Sequence, residues 1–189
     1  FMYLDDDEWF DDPQEIIKFF ITGEYQKYNS ASYIVRNYMD PNGNNYIDSY
    51  PSRMVKLNSS IHFVGRIHEF LAPFCEPRKE FNDFVHHYGY VYKNEQEHVK
   101  HVWRNIEPLL VIRKEYPGDP RWIMQLDQEY FSACDYEKVI TTSIEGLEEW
   151  RKYKKNLTYM PIHIGAIYAY LLLAFENLER YQEEKKWLR

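Results

Sequence analysis

The spacing of apolar and polar positions changes character once along the chain, after Lys93. Before that point the apolar residues come in short runs. Residues 1–4 form one such run and read as a buried strand with acids at its C-terminal end. Residues 13–21 carry Ile16, Ile17, Phe19 and Phe20 at helical spacing, closed by Gly23. Asp11 and Asp12 stand ahead of Pro13 as an N-cap would. Residues 32–39 are β-rich and run into Asp40-Pro41-Asn42-Gly43-Asn44, a turn signal after which residues 46–50 are predicted to return as a strand. Residues 53–57 alternate, and Asn58-Ser59-Ser60 predicts a hairpin into residues 61–64. Residues 81–87 read as a further strand ending at Tyr88-Gly89-Tyr90.

Beyond Lys93 the period becomes helical. Val99, Val102, Trp103, Ile106, Leu109, Leu110 and Ile112 make a stripe on a helix of about 20 residues, which Pro108 should kink or break. Tyr116-Pro117-Gly118-Asp119-Pro120 punctuates the chain. It predicts an α/β domain over residues 1–117 and helical repeats over 118–189. In the second part Leu126, Tyr130 and Ala133 lead to a turn at Cys134-Asp135, and Leu171, Phe175 and Leu178 lead to a similar one. Matching Tyr136 with Tyr181 gives a period of 45 residues. Tetratricopeptide repeats run to about 34, so the pattern needs an insertion, for which basic and polar residues 151–159 are the natural place.

Composition narrows the possibilities. A net charge of -7 argues against a general nucleic-acid binder. Two distant cysteines give neither a disulfide framework nor a paired-Cys zinc site, and point to a reducing, cytoplasmic setting. The acceptor patterns at Asn58 and Asn156 then read as chance. No stretch suits a bilayer span; residues 162–175 read as a buried helix. The chain opens inside a strand, so the sheet that should precede it is expected to lie outside this sequence.

Three clusters could carry chemistry. Asp5 and Asp7, two apart on an extended backbone, would point the same way and suit Mg2+ or Mn2+ carrying a diphosphate; a solvated acidic turn before a helix is the plainer alternative. An EF-hand is excluded, because Trp9, Phe10 and Ile16 stand where that loop needs a ligand, a Gly and a Glu. Gly65-Arg66-Ile67-His68-Glu69 places an imidazole and a carboxylate beside a residue that permits close backbone approach. Glu69 could serve as general base, and Arg66 or His68 could hold phosphate; a surface Arg–Glu pair is the plainer alternative. In His86-His87-Tyr88-Gly89-Tyr90 the two histidines face opposite sides of a strand, so at most one reaches a shared site, and a hydrogen-bonded structural histidine is the plainer alternative. His98, His101 and Glu97 read as a solvated helical flank.

Taken in order, Leu4-Asp5-Asp6-Asp7-Glu8, Arg53-Met54-Val55-Lys56-Leu57, Phe63-Val64-Gly65-Arg66-Ile67-His68-Glu69, His87-Tyr88-Gly89-Tyr90, Asp119-Pro120-Arg121 and Asp135-Tyr136-Glu137-Lys138 resemble the family-2 glycosyltransferases that carry C-terminal tetratricopeptide repeats. The resemblance covers almost the whole chain. It implies a GT-A fold and inverting transfer of a sugar from a nucleotide-sugar to a sugar, lipid-linked or protein acceptor. It implies a divalent cation, Mn2+ or Mg2+, held by Asp5 and Asp7 with His87 as a further metal or phosphate contact, and Glu69 as the acceptor-activating base. It also implies that the donor-binding half is missing here, so that these residues alone turn over little donor. The sequence departs from the family pattern at Asp6, Cys134 and Val139, where Ala, Gly and Ala are usual. A protein whose helical repeats bind a peptide or protein partner is the alternative reading.

Overall fold

The computed structural model describes residues 1–157 and 160–188. They form two compact units, Phe1–Lys93 and Asn94–Arg189. The architecture is a mixed α/β sheet unit followed by an all-helical one. The division falls at Lys93, where the apolar period changes, and not at the Pro-Gly punctuation near residue 117. The long helix after Lys93 packs with the helices that follow it and belongs to the second unit.

The first unit contains β1 (Glu8–Phe10), α1 (Gln14–Ile21), β2 (Ser30–Tyr38), β3 (Tyr46–Ser49), β4 (Ser52–Val55), β5 (His62–Val64), β6 (Phe70–Ala72) and β7 (Arg78–His87). Five strands form the main sheet. β2 and β7 run parallel at its centre, β1 lies antiparallel on the far side of β7, and β2 pairs with β4 at its start and β3 at its end. Ala31, Tyr33 and Val35 of β2 and Phe81 and Val85 of β7 alternate onto one face, where α1 covers them with Ile16 and Phe19. Asp11 and Asp12 do not cap α1. One of its first-turn amides is satisfied from the sheet instead, with Ile16 N–H donating to Asp83 Oδ2 at 2.8 Å.

Two expectations about strands change. Residues 1–4 are not a buried strand: Phe1, Met2 and Leu4 are exposed, and residues 1–3 hydrogen-bond along the outer side of β4. The strand begins at Glu8, after the acids. Residues 53–57 and 61–64 do not pair with each other; β4 joins the main sheet through β2, and β5 pairs with β6 in a separate hairpin. A short alternating run fixes which face is apolar but not which neighbour it meets.

The second unit contains α2 (Glu95–Glu115), α3 (Pro120–Ser132), α4 (Tyr136–Tyr153), α5 (Pro161–Asn177) and the short α6 (Tyr181–Glu184). α2 continues through Pro108 without a break. Trp122, Ile123, Leu126, Leu147, Ile167 and Leu171 are fully buried between α3, α4 and α5, each worth about 1.5–3 kcal/mol of transfer free energy. Gly146 lets α4 approach α3 closely, because a Cβ there would overlap the Ile123 side chain.

The turns that close α3 and α5 match at the level of single hydrogen bonds. Asp135 N–H donates to Tyr130 O at 2.9 Å, and Arg180 N–H donates to Phe175 O at 2.9 Å. Cys134 and Glu179 both take φ 57°. Each helix therefore ends in the same left-handed turn of Schellman type, built without the glycine usual there. α4 extends to Tyr153 and a 3-10 turn follows over Lys154–Asn156, which takes up part of the expected insertion; Thr158 and Tyr159 lie outside the described residues. His98 is not simply solvated, since its Nε2 meets Ser132 Oγ at 2.8 Å.

Candidate functional site

Residues 1–3 pair along β4 and residue 8 onward pairs along β7, so residues 4–7 carry the chain from one side of β2 to the other. Tyr33, on β2, donates its hydroxyl to Tyr3 O at 2.6 Å and fastens this crossing. Because β1 runs antiparallel to β7, the acids at the start of β1 lie beside the carboxyl ends of β7 and β2. Ligands gather at that end of parallel strands. The acids therefore reach the expected place by a different route from the expected one.

Asp6 and Asp7 form a turn, which breaks the extended alternation and separates Asp5 from Asp7. Asp7 Oδ2 lies 3.4 Å from Nε2 of His87, the last residue of β7. His86 points to the other face, where it meets Tyr38 and Asp11. One histidine alone reaches the acids, as the strand period requires.

Asp5 is engaged elsewhere. Its Oδ2 accepts from Arg53 Nη2 at 2.8 Å, and the same nitrogen donates to Glu8 Oε1 at 2.9 Å. The hydrogen bond from Arg53 holds the Asp5 carboxyl below its ordinary range. Glu8 is 8% exposed, and burial pushes its pKa up against the pull of the Asp5 amide and Arg53. Arg53 also stacks over the Tyr3 ring at 4.6 Å. The acid-rich turn is thus tied down by one guanidinium that emerges from β4.

Arg66, His68 and Glu69 stand exposed on the loop joining β5 to β6, with Gly65 at φ 110° and His68 at φ 50°. β5, which leads into this loop, packs on the start of the crossing, with Phe63 meeting the Tyr3 ring edge-on at 5.4 Å, and the Glu69 charge adds to burial and Asp5 in raising the Tyr3 phenol. The structure therefore joins Asp7 to His87, ties Asp5 to Arg53 and Glu8, and places Glu69 within electrostatic reach of Tyr3. It does not bring Asp5, Asp7 and His87 together as three ligands.

Among the described residues, no group of three or more His, Cys, Asp or Glu side chains is arranged to hold a metal ion. The Asp7–His87 pair fits such an ion as two protein ligands, with the remaining positions left to substrate oxygens and water, as is usual for Mg2+-class ions. Gly89 keeps the space beside both atoms open. A Cβ there would overlap Nε2 of His87 and lie 3.0 Å from Asp7 Oδ2.

Sequence reasoning assigned no role to Arg53, Asn37 or Gly89. Arg53 and Gly89 stood inside the motifs that carried the resemblance, and their motifs were the available signal. Asn37 gave none. A surface depression between α1 and β7, lined by Glu15, Lys18, Lys79 and Asn82, lies toward the opposite end of β7 and holds no comparable group. No helix among the described residues is long and apolar enough to cross a membrane. Compared with models of known protein families, and with curated proteins of known function, the chain matches none.

Proposed function

We propose that the first unit is the cation and acceptor side of an inverting glycosyltransferase of GT-A type, with family-2 character. The observation that carries this reading is the meeting of Asp7 with His87, side chains remote in sequence, at the carboxyl ends of two parallel strands. A divalent ion held by Asp7 and His87 would neutralise charge on the departing nucleoside diphosphate. Arg53 holds Asp5 and Glu8 so that the turn presents Asp7 outward. Glu69 accepts the proton of the acceptor hydroxyl as that oxygen bonds to the anomeric carbon and the sugar–diphosphate bond breaks. Arg66 and His68 bind phosphate oxygens on the donor side. The chemistry implies a nucleotide-sugar donor and a sugar, lipid-linked or protein acceptor.

The test is Mn2+ binding to the chain, with and without inorganic pyrophosphate, followed by the electron paramagnetic resonance of the free aquo ion. Asp7→Ala and His87→Ala should each weaken binding at least tenfold, and Glu69→Gln should leave it unchanged. Equal affinity in all four proteins overturns the reading.

A second reading draws on the matched turns of the helical unit, which are the framework of a repeat that binds a peptide or protein. It predicts capture of a defined protein partner by the full chain that persists in Asp7→Ala and His87→Ala. Loss of capture in those variants would count against a separate binding role.

A further inference from the structure

We propose that Asn37 is the positioning residue of the Asp7–His87 pair: its side-chain oxygen keeps the hydrogen on Nδ1 of His87 and thereby turns a bare Nε2 toward Asp7. The inference rests on the cation-binding reading above and adds the residue that prepares the imidazole for it.

The partners of the Asn37 amide set its orientation. Asn37 Nδ2 lies 3.1 Å from Val35 O, 3.0 Å from Ile47 O and 3.1 Å from Ser49 Oγ. Carbonyl oxygens only accept, so the nitrogen end of the amide must face them. The Asn37 side chain spans the β2–β3 pair and has no second orientation that satisfies these partners. Its oxygen is then the atom that faces His87 Nδ1 at 2.8 Å. An amide oxygen is an acceptor, so Nδ1 carries the hydrogen. In a neutral imidazole the other nitrogen is left with a lone pair.

That nitrogen lies beside a carboxylate. The separation of 3.4 Å between Nε2 and Asp7 Oδ2 exceeds the 2.7–2.9 Å or so of a charge-assisted hydrogen bond. Two electron-pair donors thus stand close together without a hydrogen between them, and the missing Cβ of Gly89 leaves the adjoining volume open. This is the arrangement a cation completes. An outer partner that fixes the tautomer and ring direction of a ligating histidine is a general feature of metal sites. Here the partner is an amide whose own direction is fixed by strand pairing, since Asn37 sits opposite Ile47 on β3 and beside His87 on β7.

Two measurements on the full chain test this. The first is the long-range proton–nitrogen correlation spectrum of the 15N-histidine-labelled protein above neutral pH, without metal. His87 should show a protonated Nδ1 and an unprotonated Nε2. Asn37→Leu should lose that preference, and Asn37→Asp, which keeps an oxygen opposite Nδ1, should retain it. The second is Mn2+ affinity, which should fall by about 10- to 100-fold in Asn37→Leu and recover most of that loss in Asn37→Asp. Ser49→Ala removes one partner of the amide nitrogen without touching His87 and should bind Mn2+ like the parent. An Nε2–H tautomer in the parent protein, or unchanged Mn2+ affinity in Asn37→Leu, overturns the inference. Absence of Mn2+ binding in the parent overturns the proposed function instead, and the spectrum separates the two failures because it is recorded without metal.

Discussion

Replacing Arg53 by Met should destabilise the first unit in a way that depends on pH. The Arg53 side chain is 12% exposed and that of Glu8 is 1% exposed. Removing the guanidinium leaves Glu8 as a buried carboxylate whose one remaining donor is the Asp5 amide, at 3.1 Å. Breaking one side of a buried pair costs about 3–5 kcal/mol when the stranded charge stays charged. Glu8 has an alternative, which is to take up a proton. At pH 7, protonating a carboxyl of ordinary pKa 4.5 costs about 3.4 kcal/mol at 1.36 kcal/mol per pH unit, and that is the ceiling on the Glu8 contribution. At pH 5 the same ceiling is about 0.7 kcal/mol. The sign follows from proton counting. In the variant the folded state keeps a proton on Glu8 that the unfolded chain has released, so stability falls as pH rises from the ordinary value through the raised folded one. The exposed Asp5 contact adds about 0–1 kcal/mol and the stacking on Tyr3 about 0.5–1 kcal/mol, both nearly flat in pH. The variant should therefore lose about 3–5 kcal/mol near pH 7 and about 1–2 kcal/mol near pH 5. Urea titrations across that range measure it; Trp9 is the one tryptophan of the first unit and reports its transition. The double variant Glu8→Gln/Arg53→Met should recover most of the neutral-pH loss. A loss that is the same at both pH values, or no recovery in the double variant, would refute the buried-charge account.

Three further outcomes are expected. Gly89→Ala places a methyl group against His87 Nε2 and Asp7 Oδ2; it should lower stability by about 1–3 kcal/mol and weaken Mn2+ binding more than tenfold, read by thermal melting and by titration of the aquo-ion signal. Burial holds the Asp127 pKa well above its ordinary value, with Ser143 Oγ donating to one oxygen at 2.8 Å. Folded protein therefore retains a proton that the unfolded chain loses, and stability should fall as pH rises above 3.8 toward the raised value. Asp127→Asn should abolish that slope and gain at least about 1 kcal/mol above it, measured by a pH series of unfolding curves. Cys134→Gly relieves a non-glycine residue at φ 57° and should stabilise the helical unit by about 0.5–1 kcal/mol, seen as a higher melting temperature; a drop would contradict the left-handed turn.

What the sequence revealed divides along physical lines. α1, β2, β3 and the helices were legible because their evidence is local: the period of the apolar residues, Gly23 after α1, and the turn at Asp40–Asn45. The site was legible in part. The alternation of His86 and His87 showed in advance that one alone could join the acids, and His87 does. The direction of the acids was misread, because the apolar residues 1–4 imitate a buried strand while they lie on the outer side of β4. Nothing local distinguishes an apolar edge segment from an interior one. The pairing of β4 with β2, and of β5 with β6, depends on partners far away in the chain, and those choices decide where Arg53 and Glu69 stand.

The 45-residue spacing shows the other side of the same contrast. Tyr130 and Asp135 repeat as Phe175 and Arg180, and the hydrogen bond between them repeats with equal length. No residue type is shared at either position, nor at Cys134 and Glu179 between them. What recurs is a backbone requirement, a left-handed residue that closes one helix and aims the next. Side chains that differ this much still meet the requirement because it is met by amides and carbonyls. The Asp7–His87 pair has no such tolerance: Asn37 must offer an oxygen, Gly89 must lack a Cβ, and Arg53 must hold the turn. Local geometry can thus survive changes of sequence that would dismantle the site, and a test of function has to be aimed at Asn37, Gly89 and Arg53 and not at the frame that carries them.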